Sequence, residues 1–265
     1  MQFESFGVSD KGLVRRRNED HYSVCHEDGL FLIADGMGGL SRGELASRIA
    51  VRSAERFVRD SRREDITWPV RPKPRYTMEE NRLFAAYSVA NWSVYTECLK
   101  SGRGSAMGTT MVGLLLDGKK MVVGNVGDSR AYVIRGGAIR QVTEDHSPVM
   151  DEVRRGALTM DEARNHPRRH ELTRALGVAD RVHADISSVW IRGGDLFLLC
   201  SDGLSDMLTD QEMLEIARSE KDAPLSELGR GMIQAANDKG GKDNMTVVLV
   251  RSHRSTAPVT TQMGD

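Results

Sequence analysis

Apolar positions along this chain fall into short runs broken by tight-turn dipeptides, the pattern of antiparallel hairpins. Asp28-Gly29 parts residues 22–25 from 30–34, Asp117-Gly118 parts 111–116 from 121–126, and Gly136-Gly137 parts 131–134 from 138–142. Two later runs, 196–200 and 245–250, are short and apolar throughout, which predicts buried strands. Helices are signalled by capping boxes, in which a Ser or Thr hydroxyl and a Glu three residues on satisfy each other's backbone donors. Four fit: Ser41/Glu44, Thr77/Glu80, Thr159/Glu162 and Thr209/Glu212. Apolar residues recur at helical spacing after the first (Ala46, Ile49, Ala50, Ala54, Phe57) and the second (Leu83, Tyr87, Ala90, Val94, Cys98), predicting two long amphipathic helices. Residues 223–237 give a further helix. Residues 59–75, rich in Arg and Pro, read as a solvated connection, and the end of the chain from 252 as a polar tail. No internal repeat is present, and periodicity alone yields an α+β class.

Composition narrows the function more than the fold. A length of 265 residues suits one large domain, expected over residues 1–253 with 254–265 as tail. With 37 Lys+Arg against 38 Asp+Glu, the net charge of −1 gives no global field to attract nucleic acid or an anionic membrane. Neither is expected as a partner. The N-terminus lacks a signal-peptide pattern, no apolar run approaches membrane-spanning length, and Cys25, Cys98 and Cys200 form no CxxC pair. A reduced, cytoplasmic setting is the expectation.

The candidate chemistry lies in aspartates where strand-like runs meet glycine or other turn residues. They are Asp35 in Asp-Gly-Met-Gly-Gly, Asp128 in Gly-Asp-Ser-Arg, Asp202 in Ser-Asp-Gly, and Asp243 in Asp-Asn, with Glu19-Asp20 after Arg15-Arg16-Arg17-Asn18. A single Asp-Gly is first a turn. As a set, carboxylates at the ends of neighbouring strands can converge on one rim, where their mutual repulsion requires cations. Oxygen donors without His or Cys at metal spacing favour Mg²⁺ or Mn²⁺ over Zn²⁺.

With these motifs, joined in order by Met107-Gly108-Thr109-Thr110, Asp145-His146-Ser147 and Leu172-Thr173-Arg174-Ala175-Leu176-Gly177, the chain resembles the metal-dependent serine/threonine protein phosphatases of type 2C, most of all their bacterial branch. That resemblance implies a four-layer αββα sandwich of two antiparallel sheets flanked by helices. It implies two core ions, Mn²⁺ or Mg²⁺, bridged by Asp35, with the Gly36 carbonyl on the first and Asp202 and Asp243 on the second. Glu19 and Asp20 would hold metal-bound waters, and Asp128 with Asp202 a third, weaker ion. Arg15 would grip the substrate phosphate, with Arg16 or Arg17 in its place if the register differs. A hydroxide generated between the two ions would attack phosphorus in line, without a phosphoenzyme.

The resemblance further implies phosphorylated proteins and a cognate Ser/Thr kinase as partners, and a substrate-selecting flap over residues 147–170 bearing Arg154, Arg155, Arg164, Arg168 and Arg169. One departure stands out. Met37 occupies the place of a histidine in the eukaryotic branch, and a thioether cannot donate a proton, which leaves a metal-bound water as the acid. His146 is the alternative, weighed against a structural role. Three other readings remain at this level: a catalytically dead binding module, although Asp35, Asp202 and Asp243 are all retained; a phosphatase of small esters; and a structural cation site.

Overall fold

The computed structural model describes residues 2–38, 42–63, 66–100, 107–220 and 223–253. Five strands, β1 (Phe3–Asp10), β11 (Met245–Ser252), β10 (Leu196–Cys200), β7 (Arg130–Arg135) and β8 (Ala138–Gln141), form one antiparallel sheet in that spatial order. A second antiparallel sheet runs β2 (Asp20–Cys25), β3 (Leu30–Gly38), β5 (Met111–Asp117), β6 (Lys120–Val126) and β9 (Asp185–Trp190), with β4 (Met107–Thr109) paired to the end of β3. For brevity these are the first and second sheets.

Why the strands read as unbroken apolar runs is clear from their two faces. Phe197 and Leu199 of β10 point between the sheets, where Phe31, Ile33, Val112 and Leu114 meet Val133, Val248 and Val250. Leu196, Leu198 and Cys200 point the other way and are covered by α5 (Asp202–Ser205), α6 (Asp210–Ser219) and α7 (Leu225–Asp238). On the far side, Leu30, Leu32 and Ala34 of β3 pack under α1 (Arg42–Arg63) and α2 (Met78–Lys100) through Ala46, Ala50, Ala54, Leu83 and Tyr87. A strand buried on both faces loses its polar alternation, and the result is the four-layer α+β sandwich that the resemblance implied.

All three hairpins form with the expected turns, and both buried strands are present. The capping boxes at Thr77, Thr159 and Thr209 close with both reciprocal hydrogen bonds. Ser41 lies outside the described residues, as does the tail 254–265. Two readings need correction. Residues 59–75 are not a solvated connection throughout: α1 continues to Arg63, and Ile66, Trp68 and Val70 pack on the core, Trp68 meeting the Phe57 ring edge-on at 5.8 Å. Nor does the polar tail begin at Ser252, which ends β11 and is buried, its hydroxyl donating to the Arg192 carbonyl.

Candidate active site

At one end of the sandwich the two sheets open into a cleft of about 730 Å³ lined by Arg15, Arg16, Arg17, Glu19, Asp35, Gly36, Met37, Thr110, Asp128, Asp202 and Asp243. Asp35 comes from β3 of the second sheet. Asp202 follows β10 and Asp243 precedes β11, both in the first sheet, while Asp128 sits in the crossover from β6 to β7. Residues as far apart in sequence as Arg15 and Asp243, 228 positions, therefore share one rim.

Asp35, Asp202 and Asp20 are each fixed by the elements around them. The backbone N–H of Asp35 donates to the Thr110 hydroxyl at 3.0 Å, and that hydroxyl is hydrogen-bonded to Ser129 at 2.7 Å. Asp202 opens α5 after Ser201, so it meets the positive end of a short helix. Asp20, 7% exposed, lies beneath the cleft rather than in its lining. Its Oδ2 accepts hydrogen bonds from the Ser201 hydroxyl, just past β10, at 2.8 Å and from the Thr246 hydroxyl of β11 at 2.6 Å.

Two close backbone approaches make the geometry possible. A Cβ on Gly36 would lie 2.0 Å from the carbonyl oxygen of Gly43 in the first turn of α1, and one on Gly203 would lie 2.0 Å from that of Asn244. Glycine at both positions is thus a packing requirement. Asn244 in turn uses all its amide groups on the loop that carries the arginines: Oδ1 accepts from Glu19 N at 2.8 Å, and Nδ2 donates to the carbonyls of Lys11 at 3.0 Å and Arg17 at 2.8 Å.

The electrostatics call for cations. Burial raises the pKa of Asp35 well above the carboxylate range, with the negative charges of Asp20 and Asp202 adding to it; burial and then Asp202 do the same to Asp128. Burial also lifts Asp202, although a hydrogen bond with Asp35 opposes the rise. Arg15, donating to Asp243 Oδ2 at 2.5 Å, is the paired cation of the group. Two buried oxygens, Asp20 Oδ1 and Asp202 Oδ1, have no hydrogen-bond partner among the described residues. Clustered carboxylates with orphaned buried oxygens fit bound divalent ions. His170 and Asp206 add a further potential cradle, their ligand atoms and one of Asp202 lying within 4.8 Å of one another.

A family profile described as Protein phosphatase 2C matches residues 14–250. The chain belongs to the protein phosphatase 2C family. Among curated relatives it is similar to the serine/threonine phosphatase stp of Listeria monocytogenes serotype 4b (strain F2365), 37% identical over 250 residues that cover 91% of this chain and 93% of the relative. The crystal structure of the Mycobacterium tuberculosis serine/threonine phosphatase PstP/Ppp superimposes with a TM-score of 0.82 at 32% identity, covering 95% of this chain and 99% of that one. A structure of the catalytic domain of PstP in complex with 2 manganese ions matches with a TM-score of 0.79 at 31% identity, covering 95% and 99%. This phosphatase is thus a bacterial-type serine/threonine phosphatase of a family that uses metal ions.

Every predicted site residue of the phosphatase lines the cleft except Asp20, which supports it from beneath. His146 is structural. It is 4% exposed, its Nδ1 accepts from Gly127 N at 3.1 Å, and Nε2 meets Asp185 at 3.1 Å. Sequence reasoning missed Thr110, Asn244 and His170 as site residues. The first two sit inside motifs already noticed, Gly-Thr-Thr and Asp-Asn. His170 carries no local signal, because its place in the cleft depends on the path of residues 165–172.

Proposed function

We propose that this phosphatase hydrolyses phosphoserine and phosphothreonine in cytoplasmic protein substrates, with Asp35, Asp202 and Asp243 holding two divalent ions. The observation that carries the assignment is the convergence of these carboxylates from opposite sides of the sandwich around buried oxygens that no group among the described residues satisfies. The Gly36 carbonyl completes the first site, and Glu19 and Asp20 hold the surrounding water shell. Asp128 and Asp202 hold a third, weaker ion. All donors are oxygens, which suits Mn²⁺ or Mg²⁺. When bound, such ions supply the positive charge that makes water acidic enough to act as a nucleophile near neutral pH.

The chain's own residues do the rest. Arg15 offers a planar fork that matches two phosphate oxygens and orients phosphorus for in-line attack. Its partner Asp243 is a proposed ligand, and a cation held there would leave the Arg15 guanidinium available to substrate. Thr110 and Asn244 fix the positions of Asp35 and the arginine loop. Met37 lines the cleft without a proton to give. The catalytic unit spans residues 1–253, and 147–170, built on α3 (Pro148–Arg154) and α4 (Met160–Arg164), forms the flap that selects substrate. A Ser/Thr kinase that makes the phosphoproteins is the expected opposing partner.

Hydrolysis of a phosphothreonine peptide with Mn²⁺, with chelator, and with Asp35→Asn or Asp202→Asn tests this. Chelator and either variant are expected to lower the rate by about 100-fold or more. Equal rates in all four conditions would overturn the mechanism. Faster turnover of small phosphate metabolites than of the peptide would move the substrate class.

A further inference from the structure

At the opposite end of β10 from Asp202, a second cavity of about 730 Å³ is lined by four arginines from four separate segments: Arg135, Arg192, Arg218 and Arg251. The strand rise of about 3.3 Å per residue puts it roughly 15 Å or more from the carboxylate cleft. Its walls are the β7–β8 turn at Gly136-Gly137, the β9–β10 turn at Gly193-Gly194, and the last turn of α6.

The charges at this site do not cancel. Arg135 is matched by buried Asp195, with Nε to Oδ1 at 2.7 Å and a terminal nitrogen to Oδ2 at 2.6 Å. The backbone N–H of Arg192 also donates to Asp195 Oδ2, at 2.7 Å, so this carboxylate is fully engaged. Arg251 is matched by Glu4 at 2.8 Å. Arg218 donates to the Gly137 carbonyl, which satisfies a hydrogen bond and neutralises nothing. The Arg192 and Arg218 guanidiniums, both exposed, have no carboxylate partner among the described residues. Two uncompensated guanidiniums facing one cavity match a dianion, and their fork geometry matches the oxygens of phosphate.

We propose that this cavity is a second phosphate-binding site, separate from the catalytic cleft, that takes a phosphate dianion either free in solution or carried on a second phosphorylated residue of a polypeptide. The binding claim stands on the cavity's own charge; its link to substrate choice rests on the phosphatase reading above. A polypeptide that reaches both sites must place its two phosphates at least about five extended residues apart, at 3.3–3.6 Å each.

The test is calorimetric titration of inorganic phosphate into the Mg²⁺-loaded protein and into the double variant Arg192→Gln/Arg218→Gln. The native protein is expected to show two binding events. The variant should keep one and weaken the other by at least about tenfold, the loss of charge-assisted hydrogen bonds, with p-nitrophenyl phosphate turnover unchanged. Identical titrations of the two proteins would overturn the site. Peptides with one phosphate and with two well-spaced phosphates then separate the sources. A KM raised in the variant for the doubly phosphorylated peptide alone assigns the ligand to substrate, and equal KM values assign it to free phosphate. Should the native protein hydrolyse neither peptide while the second event still disappears in the variant, the site stands and the phosphatase reading falls.

Discussion

Asp20 is a carboxyl buried beneath the cleft, and its environment sets its charge. Burial pushes its pKa up to about 7; the Thr246 and Ser201 hydroxyls pull it down, and the charges of Asp202 and Asp243 push it up. In the unfolded chain an aspartate titrates near 3.9. Between roughly pH 4 and 7 the folded, metal-free protein therefore holds a proton that the unfolded chain has released, and its stability falls as pH rises through that window. His146, whose pKa burial lowers from 6.5, acts in the opposite sense below that value, so a variant is needed to isolate the carboxyl. Thermal melts of chelated protein at pH 5 and 7.5 should show a drop toward the higher pH that Asp20→Asn reduces. Mn²⁺ at pH 7.5 should reverse the drop, by about 2.7 kcal/mol at a hundredfold excess over Kd. Parallel pH profiles for the native protein and Asp20→Asn would mean that Asp20 is ionised in the fold.

At the scale of elements, contact between α5 and the Asp243-Asn244 turn sets the spacing of the carboxylates. Gly203→Ala would press a methyl against the Asn244 carbonyl, 2.0 Å from where its Cβ must lie, and push Asp202 away from Asp243. The expected cost is about 1–3 kcal/mol, accompanied by weaker Mn²⁺ activation. Thr209→Ala removes the α6 cap, costs about 1 kcal/mol, and should leave turnover intact; melts and rates of the two variants together separate general stability from site geometry.

The same elements show what the sequence makes legible. Hairpins with Asp-Gly or Gly-Gly turns and helices with capping boxes announce themselves, since their signals are local. β1 and β9 do not. β1 interrupts its apolar positions with Ser5 and Gly7, the latter packed against the Tyr22 ring, and β9 is Ser-rich with its side chains largely exposed. The acidic residues could be named because each occupies a recognisable turn, whereas His170 and the arginine cavity arise from tertiary placement alone.

Across the whole molecule, the acidic residues of the site come from different layers: Asp35 and Asp20 lie in strands of the second sheet, whereas Asp202 and Asp243 lie just beyond β10 and just before β11 of the first. Hydrogen exchange should show this directly. Chelation is expected to speed exchange at the cleft ends of β3 and β10, near Asp35 and Cys200, and to leave their far ends near Leu30 and Leu196 unchanged. Uniform protection with and without Mn²⁺ would mean that the ions add nothing to the join. On this arrangement the proposed ions would act as a clasp as well as a reagent. Stripped of them, the phosphatase would have its two halves unfastened at the mouth, so that idleness and looseness would arrive together and be undone by the same ions.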